Sequence, residues 1–238
     1  MHSDLQIIDS SDETIRRLAE KIFKYATHRD KPYFHLALSG GTSPLKLFQH
    51  LKEQYALSMP WKQFKIFWVD ERCVPPDHKE SNYGTTYFYL LQHVGIPESQ
   101  IYRIRGEDPP EEEALRYASV LQDNLPEQKE LPRLDFILLG MGSDGHTGSI
   151  FPDQVHLFEA KNLCEVTQHP DTGQKRVTLT GRLINNAAYI AFLVTGKQKA
   201  ASLARVIRGK PFSLPAALVR PTHGIMEWFV DREAAHDL

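Results

Sequence analysis

Residues 134–149, LDFILLGMGSDGHTGS, change abruptly from an almost unbroken apolar run to a loop holding four glycines, an aspartate and a histidine. The run is too short for a helix and does not alternate, as expected of a strand buried on both faces. A buried strand that empties into a glycine loop is the opening half of a βα unit, and the same order recurs on either side of it.

Upstream, YFHLAL (33–38) is a second short apolar run, followed at once by SGGTSP (39–44). Pro44 suits the first turn of a helix, and Leu45, Leu47, Phe48 and Leu51 continue an apolar face beyond it. KIFWVDER (65–72) repeats the pattern, passing through a Pro/Asp/His loop into a helix across TTYFYLLQHV (85–94). Downstream, YIAFLVTG (189–196) turns into the helical stripe Leu203, Val206 and Ile207, closed near Gly209. RVTLT (176–180) alternates like a strand with one wet face. Before all of these, Ile15, Leu18, Ala19, Ile22, Phe23 and Ala26 make an amphipathic helix over 12–27, with Ser11 or Asp12 as N-cap. The charged segment 109–133 carries Ala114, Leu115, Ala118, Val120 and Leu121 at helical spacing, so it reads as a surface helix rather than a linker. Strands alternating with helices define an α/β chain: a Rossmann-like, mainly parallel sheet with helices on both faces. One domain over residues 1–238 is expected.

Twenty-eight Lys and Arg stand against 30 Asp and Glu. Without a global basic field, neither nucleic acid nor anionic membrane is an expected partner. No leader pattern opens the chain and no apolar run approaches the roughly 18 residues of a membrane span, so the cytoplasm is the expected location. The two cysteines, Cys73 and Cys164, fit no CxxC or Cys/His ligand spacing. Cys73 reads as a reduced thiol without a role. Asp70, Asp77 and His78 lack the spacing of a metal site.

In a parallel sheet, loops leaving the C-terminal strand edges share one side, where ligands settle. Four loops qualify: SGGTSP, VDERCVP, GMGSDGHTGS and TGKQKA. In the first, Ser39, Gly40, Gly41, Thr42 and Ser43 combine unshielded backbone N–H groups and hydroxyls with a helix start, which suits a phosphate or equally a tight turn. Arg176 and Lys199 are either anion ligands or solvated charges, and Lys199 opposes a helix dipole unless an anion is near. In the third loop Asp144 lies two residues from His146, close enough to orient its imidazole, so His146 is either an acid-base group or a helix cap. A serine triad lacks its GxSxG elbow.

Taken in order, LALSGGTSP, WVDERCVP with SNYG, LDFILLGMGSDGHTGSIFP, KRVTLT and VTGKQKA resemble the 6-phosphogluconolactonase family over almost the whole chain. The resemblance implies a fold of the sugar-phosphate isomerase and deaminase type, and hydrolysis of 6-phospho-D-glucono-1,5-lactone to 6-phospho-D-gluconate without cofactor or metal. It implies phosphate binding by Ser39 through Ser43, Arg176 and Lys199, with His146 as the catalytic base. Asp144 would orient His146, and Arg72 would serve as phosphate contact or oxyanion support, with Asp70 and Glu71 paired to it. Only the small-molecule lactone is expected as partner, for a monomer or weak homo-oligomer. Glucosamine-6-phosphate deaminases are the near alternative, but they resemble this chain with DEY in place of Asp70-Glu71-Arg72 and a glutamate where it has Phe151. A sugar-phosphate sensor without turnover is the other alternative.

Overall fold

The computed structural model describes residues 3–209 and 214–238. Seven strands form a fully parallel sheet in the order β1 (Ser3–Ile8), β12 (Ile225–Asp231), β11 (Tyr189–Val194), β8 (Phe136–Leu139), β2 (Phe34–Leu38), β3 (Phe64–Trp68) and β5 (Ile101–Tyr102). All six residues of β11, all five of β2 and all four of β8 are buried. Strands covered on both faces need no polar alternation, which is why these segments read as plain apolar runs.

The connecting helices are α1 (Ser11–Thr27), α2 (Thr42–Tyr55), α3 (Asn82–Tyr89), α4 (Pro110–Asn124), α5 (Gly181–Ile184), α6 (Ala200–Ile207) and α7 (Pro215–Leu218). Among the described residues, no helix is long and apolar enough to cross a membrane. α1 buries Ile15, Leu18, Ala19, Ile22 and Ala26, the expected stripe, but Ser10 caps it rather than Ser11 or Asp12, its Oγ accepting from Glu13 N at 3.2 Å. α4 lies where a surface helix was expected and buries Ala114 and Leu121 of the expected stripe, but Leu115 is exposed and Tyr117 takes its place in the core. The Tyr117 hydroxyl accepts from Trp68 N at 2.8 Å and donates to Trp68 O at 3.1 Å, pinning the end of β3.

Three features depart from the sequence expectations. β1 was not anticipated: SDLQII is half polar, and it joins the sheet only because β12, far along the chain, offers a parallel edge. The VDER segment is not simply a loop. After Val69 the chain enters β4 (Asp70–Arg72), the edge of an antiparallel sheet ordered β4, β10 (Lys175–Leu179), β9 (Cys164–Gln168). Val69 joins the two sheets, its N–H donating to Leu38 O at 2.9 Å and its carbonyl accepting from Leu179 N at 2.7 Å. β10 has no wet face, because Arg176, Val177, Thr178 and Leu179 are all buried between its neighbours and the main body. A further two-residue hairpin, β6 (Glu127–Gln128) with β7 (Leu131–Pro132), closes the segment after α4.

Candidate active site

The four segments leave β2, β3, β8 and β11 on the same edge, and together they line one cleft. Ser39, Gly40, Gly41, Thr42 and Ser43 form one wall, Arg72 and Arg176 a second, and His146 and Lys199 complete it.

The first wall is the N-terminus of α2. Gly41 sits at φ +110°, in the region that favours glycine, and no side chain caps the helix. Its first N–H groups therefore point outward unpaired, a site suited to an anion. Ser43 Oγ is 2.6 Å from Thr195 Oγ1, which ties this loop to the end of β11. Ser39 Oγ is buried and lacks a hydrogen-bond partner among the described residues. Gly40 is glycine for a different reason: a Cβ there would run into the amide of Asn82.

The second wall comes from the small sheet. Arg72 on β4 and Arg176 on β10 are register partners, so their side chains project from the same face. Like charges directly opposite each other destabilise a sheet unless something compensates them. Burial and the Arg72 charge both push the Arg176 pKa down. Its Nε and that of Arg72 are buried without hydrogen-bond partners. Two cations held this way call for an anion between them.

The acidic neighbours do not pair with Arg72 as expected. Glu71 turns inward beneath α3 and accepts from Asn82 N at 2.7 Å, Tyr83 N at 2.8 Å and Ser81 Oγ at 3.1 Å, besides its neighbour Arg72 N at 2.8 Å. It is a helix cap supplied from a strand. Burial raises its pKa to about 6 in spite of those donors. Asp70 accepts from Ser149 Oγ at 2.6 Å, and Asn82 Nδ2 donates to the Asp70 carbonyl at 2.9 Å. Asn82 lines the cleft and was not singled out as a site residue in the sequence, although the SNYG stretch contains it.

In the third loop His146 Nδ1 is 2.6 Å from Asp144 Oδ1, which also accepts the His146 backbone N–H at 3.2 Å. Burial works to raise the Asp144 carboxyl, but the His146 bonds outweigh it and hold the pKa at about 2. An ionised carboxylate only accepts, so the proton of a neutral His146 stays on Nδ1 and Nε2 keeps its lone pair. The loop closes tightly: Gly142 N donates to His146 O at 2.9 Å, and a Cβ on Gly142 would collide with both His146 Nδ1 and Asp144 Oδ1.

Lys199 ends a 3-10 turn (Lys197–Lys199) that begins after Gly196 and runs directly into α6, where it stands at the N-cap position. Burial lowers its pKa, with the Asp144 charge acting against that. The turn is anchored by Asp231 at the end of β12, which accepts from Gly196 N at 3.0 Å and Ala234 N at 2.8 Å. The end of β12 thus holds the fourth loop in place. Among the described residues no three His, Cys, Asp or Glu side chains converge as metal ligands.

In architecture the chain falls with the α/β sugar-phosphate isomerases and deaminases. The solved monomeric glucosamine-6-phosphate deaminase superposes with a TM-score of 0.85 over 99% of this chain and 100% of its own, at 20% identity, a likeness of fold. The model for glucosamine-6-phosphate isomerases/6-phosphogluconolactonase matches residues 9–228. Sequence similarity is higher on one side of that family. A 6-phosphogluconolactonase of Treponema pallidum is 45% identical over 76% of this chain and 75% of its own. The solved 6-phosphogluconolactonase of Trypanosoma brucei is 26% identical, with a TM-score of 0.87 over 100% of this chain and 99% of its own. The chain belongs to the 6-phosphogluconolactonase family.

Proposed function

We propose that this family hydrolase opens 6-phospho-D-glucono-1,5-lactone to 6-phospho-D-gluconate by water attack assisted by His146. One observation supports the reading above the rest: the His146–Asp144 pair opens onto the same cleft as two register-paired arginines, Lys199 and the uncapped start of α2. The phosphate is the group that answers those cations. Ser39 through Ser43, Arg176 and Lys199 would hold it, and Arg72, directly across from Arg176, would join them or support the carbonyl oxygen.

With the phosphate anchored, the lactone carbonyl lies toward His146. Nε2 takes a proton from water as the oxygen attacks C1, and Asp144 stabilises the imidazolium that forms. Charge developing on the carbonyl oxygen is met by N–H groups of the glycine loops, each well-placed donor contributing about 3 kcal/mol. The C1–ring oxygen bond then breaks, and the imidazolium returns its proton to the departing oxygen. No covalent enzyme intermediate is needed, since a lactone already reacts with water and positioning with proton transfer is enough. The 6-phosphogluconolactonase relatives and the one family model over residues 9–228 support this substrate and the reading of 1–238 as one unit. The buried Phe151 ring offers no acid for a deaminase relay.

The test is hydrolysis of freshly generated 6-phosphogluconolactone, followed against its spontaneous rate. Acceleration that depends on His146 supports the proposal. A chain that binds 6-phosphogluconate but leaves the rate unchanged is a sensor.

A further inference from the structure

Phe151 is fully buried, yet it stands outside the main apolar core and its neighbours are polar. The His146 ring lies 4.9 Å away between centroids, inclined by 52°. On another side the Arg176 guanidinium is 5.5 Å from the Phe151 centroid, within the range of a cation–π contact. The His169 ring meets it edge-on at 5.1 Å. An aliphatic side chain would keep the site apolar. Only an aromatic one presents a negative face to a cation and a flat wall to an imidazole.

Both cleft residues lack what this ring supplies. Arg176 Nε is unpartnered, its Nη1 and Nη2 make long bonds of 3.4 Å to Ser149 Oγ and 3.3 Å to Gln174 Oε1, and Arg72 stands opposite with the same charge. The His146 ring is held at Nδ1 by Asp144, a single bond about which it can tilt. His169 accepts at Nδ1 from Asp171 N at 3.2 Å and Thr172 N at 3.4 Å, so Phe151 also seats the turn between β9 and β10, the strand carrying Arg176.

We propose that Phe151 is a positioning residue coupling the two halves of the cleft: one ring seats the Arg176 guanidinium for the substrate phosphate and braces the His146 imidazole for proton transfer. This rests on the lactonase reading above. It makes phosphate affinity and turnover depend on a side chain that touches neither phosphate nor carbonyl.

Two variants separate positioning from filling. Phe151→Leu keeps apolar bulk and removes the π face, whereas Phe151→Tyr keeps the face. The leucine variant is expected to raise KM for the phosphorylated lactone by about 3- to 30-fold, the span of a cation–π contact, and to leave KM for unphosphorylated gluconolactone unchanged. It is expected to lower kcat on both by about 3- to 10-fold as His146 loses its brace. Tyrosine restores both parameters. In an Arg176→Gln background the KM effect of Phe151→Leu vanishes while its kcat effect persists. Equal behaviour of Leu and Tyr, or a KM effect that survives in that background, overturns the proposal. Calorimetric titration with 6-phosphogluconate reads the Arg176 half without turnover: about 3- to 30-fold weaker binding by Phe151→Leu supports it, and unchanged binding overturns it. If the wild type leaves the spontaneous rate of lactone hydrolysis unchanged, the lactonase reading falls and the titration still decides the coupling.

Discussion

A His–Asp pair stands beyond each end of strand β8, and the two pairs are nearly the same object. Past its C-terminal end His146 Nδ1 lies 2.6 Å from Asp144. At its N-terminal end Asp135, just before the strand, lies 2.7 Å from Nδ1 of His35 on β2. In both, burial would raise the carboxyl and the histidine bonds hold it down at about 2. What differs is the setting. The His146 side chain is 28% exposed and faces a cleft with Arg72, Arg176 and Lys199, whereas the His35 side chain is 9% exposed. Each aspartate also accepts its histidine's backbone N–H, and Asp135 alone is tied in addition to a lysine, Lys31 Nζ at 3.0 Å. A hydrogen-bonded imidazole and carboxylate do not make a site. Access and a neighbouring anion clamp do, and a parallel sheet gathers its diverging loops at one edge only.

The sharpest way to break this contrast is to delete both histidines separately. His146→Ala is expected to lower kcat by about 10²–10⁴-fold. His35→Ala is expected to leave kcat at wild-type level and to lower stability by about 1–3 kcal/mol, the cost of stripping a buried bond. Turnover assays and chemical denaturation read the two; comparable kcat losses would erase the distinction between the edges.

Next in size is Gly142→Ala, which introduces a methyl group where His146 and Asp144 pack. Displacing the imidazole by about 1 Å is expected to cost about 10²-fold in kcat. Gly95→Ala, at an open position with nothing near the added Cβ, is the control and should be silent. A fully active Gly142→Ala would mean that the His146 geometry seen here is not the working one.

Lys199→Ala is expected to raise KM for the phosphorylated lactone by about 10- to 100-fold, the range of a charge-assisted bond, and to spare unphosphorylated gluconolactone. Equal losses on both substrates would remove Lys199 from the anion clamp.

A final effect, on stability rather than turnover, is a pH dependence from Glu71. Its folded pKa, about 6, lies above the ordinary 4.5, so the folded state binds the proton more tightly. Its stabilising contribution is complete below pH 4.5 and is lost as pH rises through 6, about 2 kcal/mol in all. Glu71→Gln should flatten that slope in denaturation measured from pH 4 to 7. An unchanged slope would mean that another group titrates there.

Much of this was legible in the chain. The strands β2, β3, β8 and β11 betray themselves because both faces are covered and apolar residues dominate, with His35 and Lys65 the exceptions. The glycine loops follow from the need to turn tightly at their ends, and Asp144 and His146 are close in space because they are close in sequence. β1 stayed hidden, since a half-polar edge strand has no pattern without its partner. Asp70, Glu71 and Arg72 read as a charged loop and are instead a strand whose acids cap α3 and bind Ser149.

The sequence by itself determined the α/β class, the loops that carry chemistry and the local His–Asp pair, because each rests on contacts between near neighbours. Only the tertiary structure decided that Arg72 faces Arg176 across a second sheet, that Phe151 sits between Arg176 and His146, and that His146 rather than His35 meets a cleft. Arg72, His146 and Arg176 come from distant parts of the chain, and they meet only when the parallel sheet and the antiparallel one bring β4, β10 and the loop after β8 to one cleft.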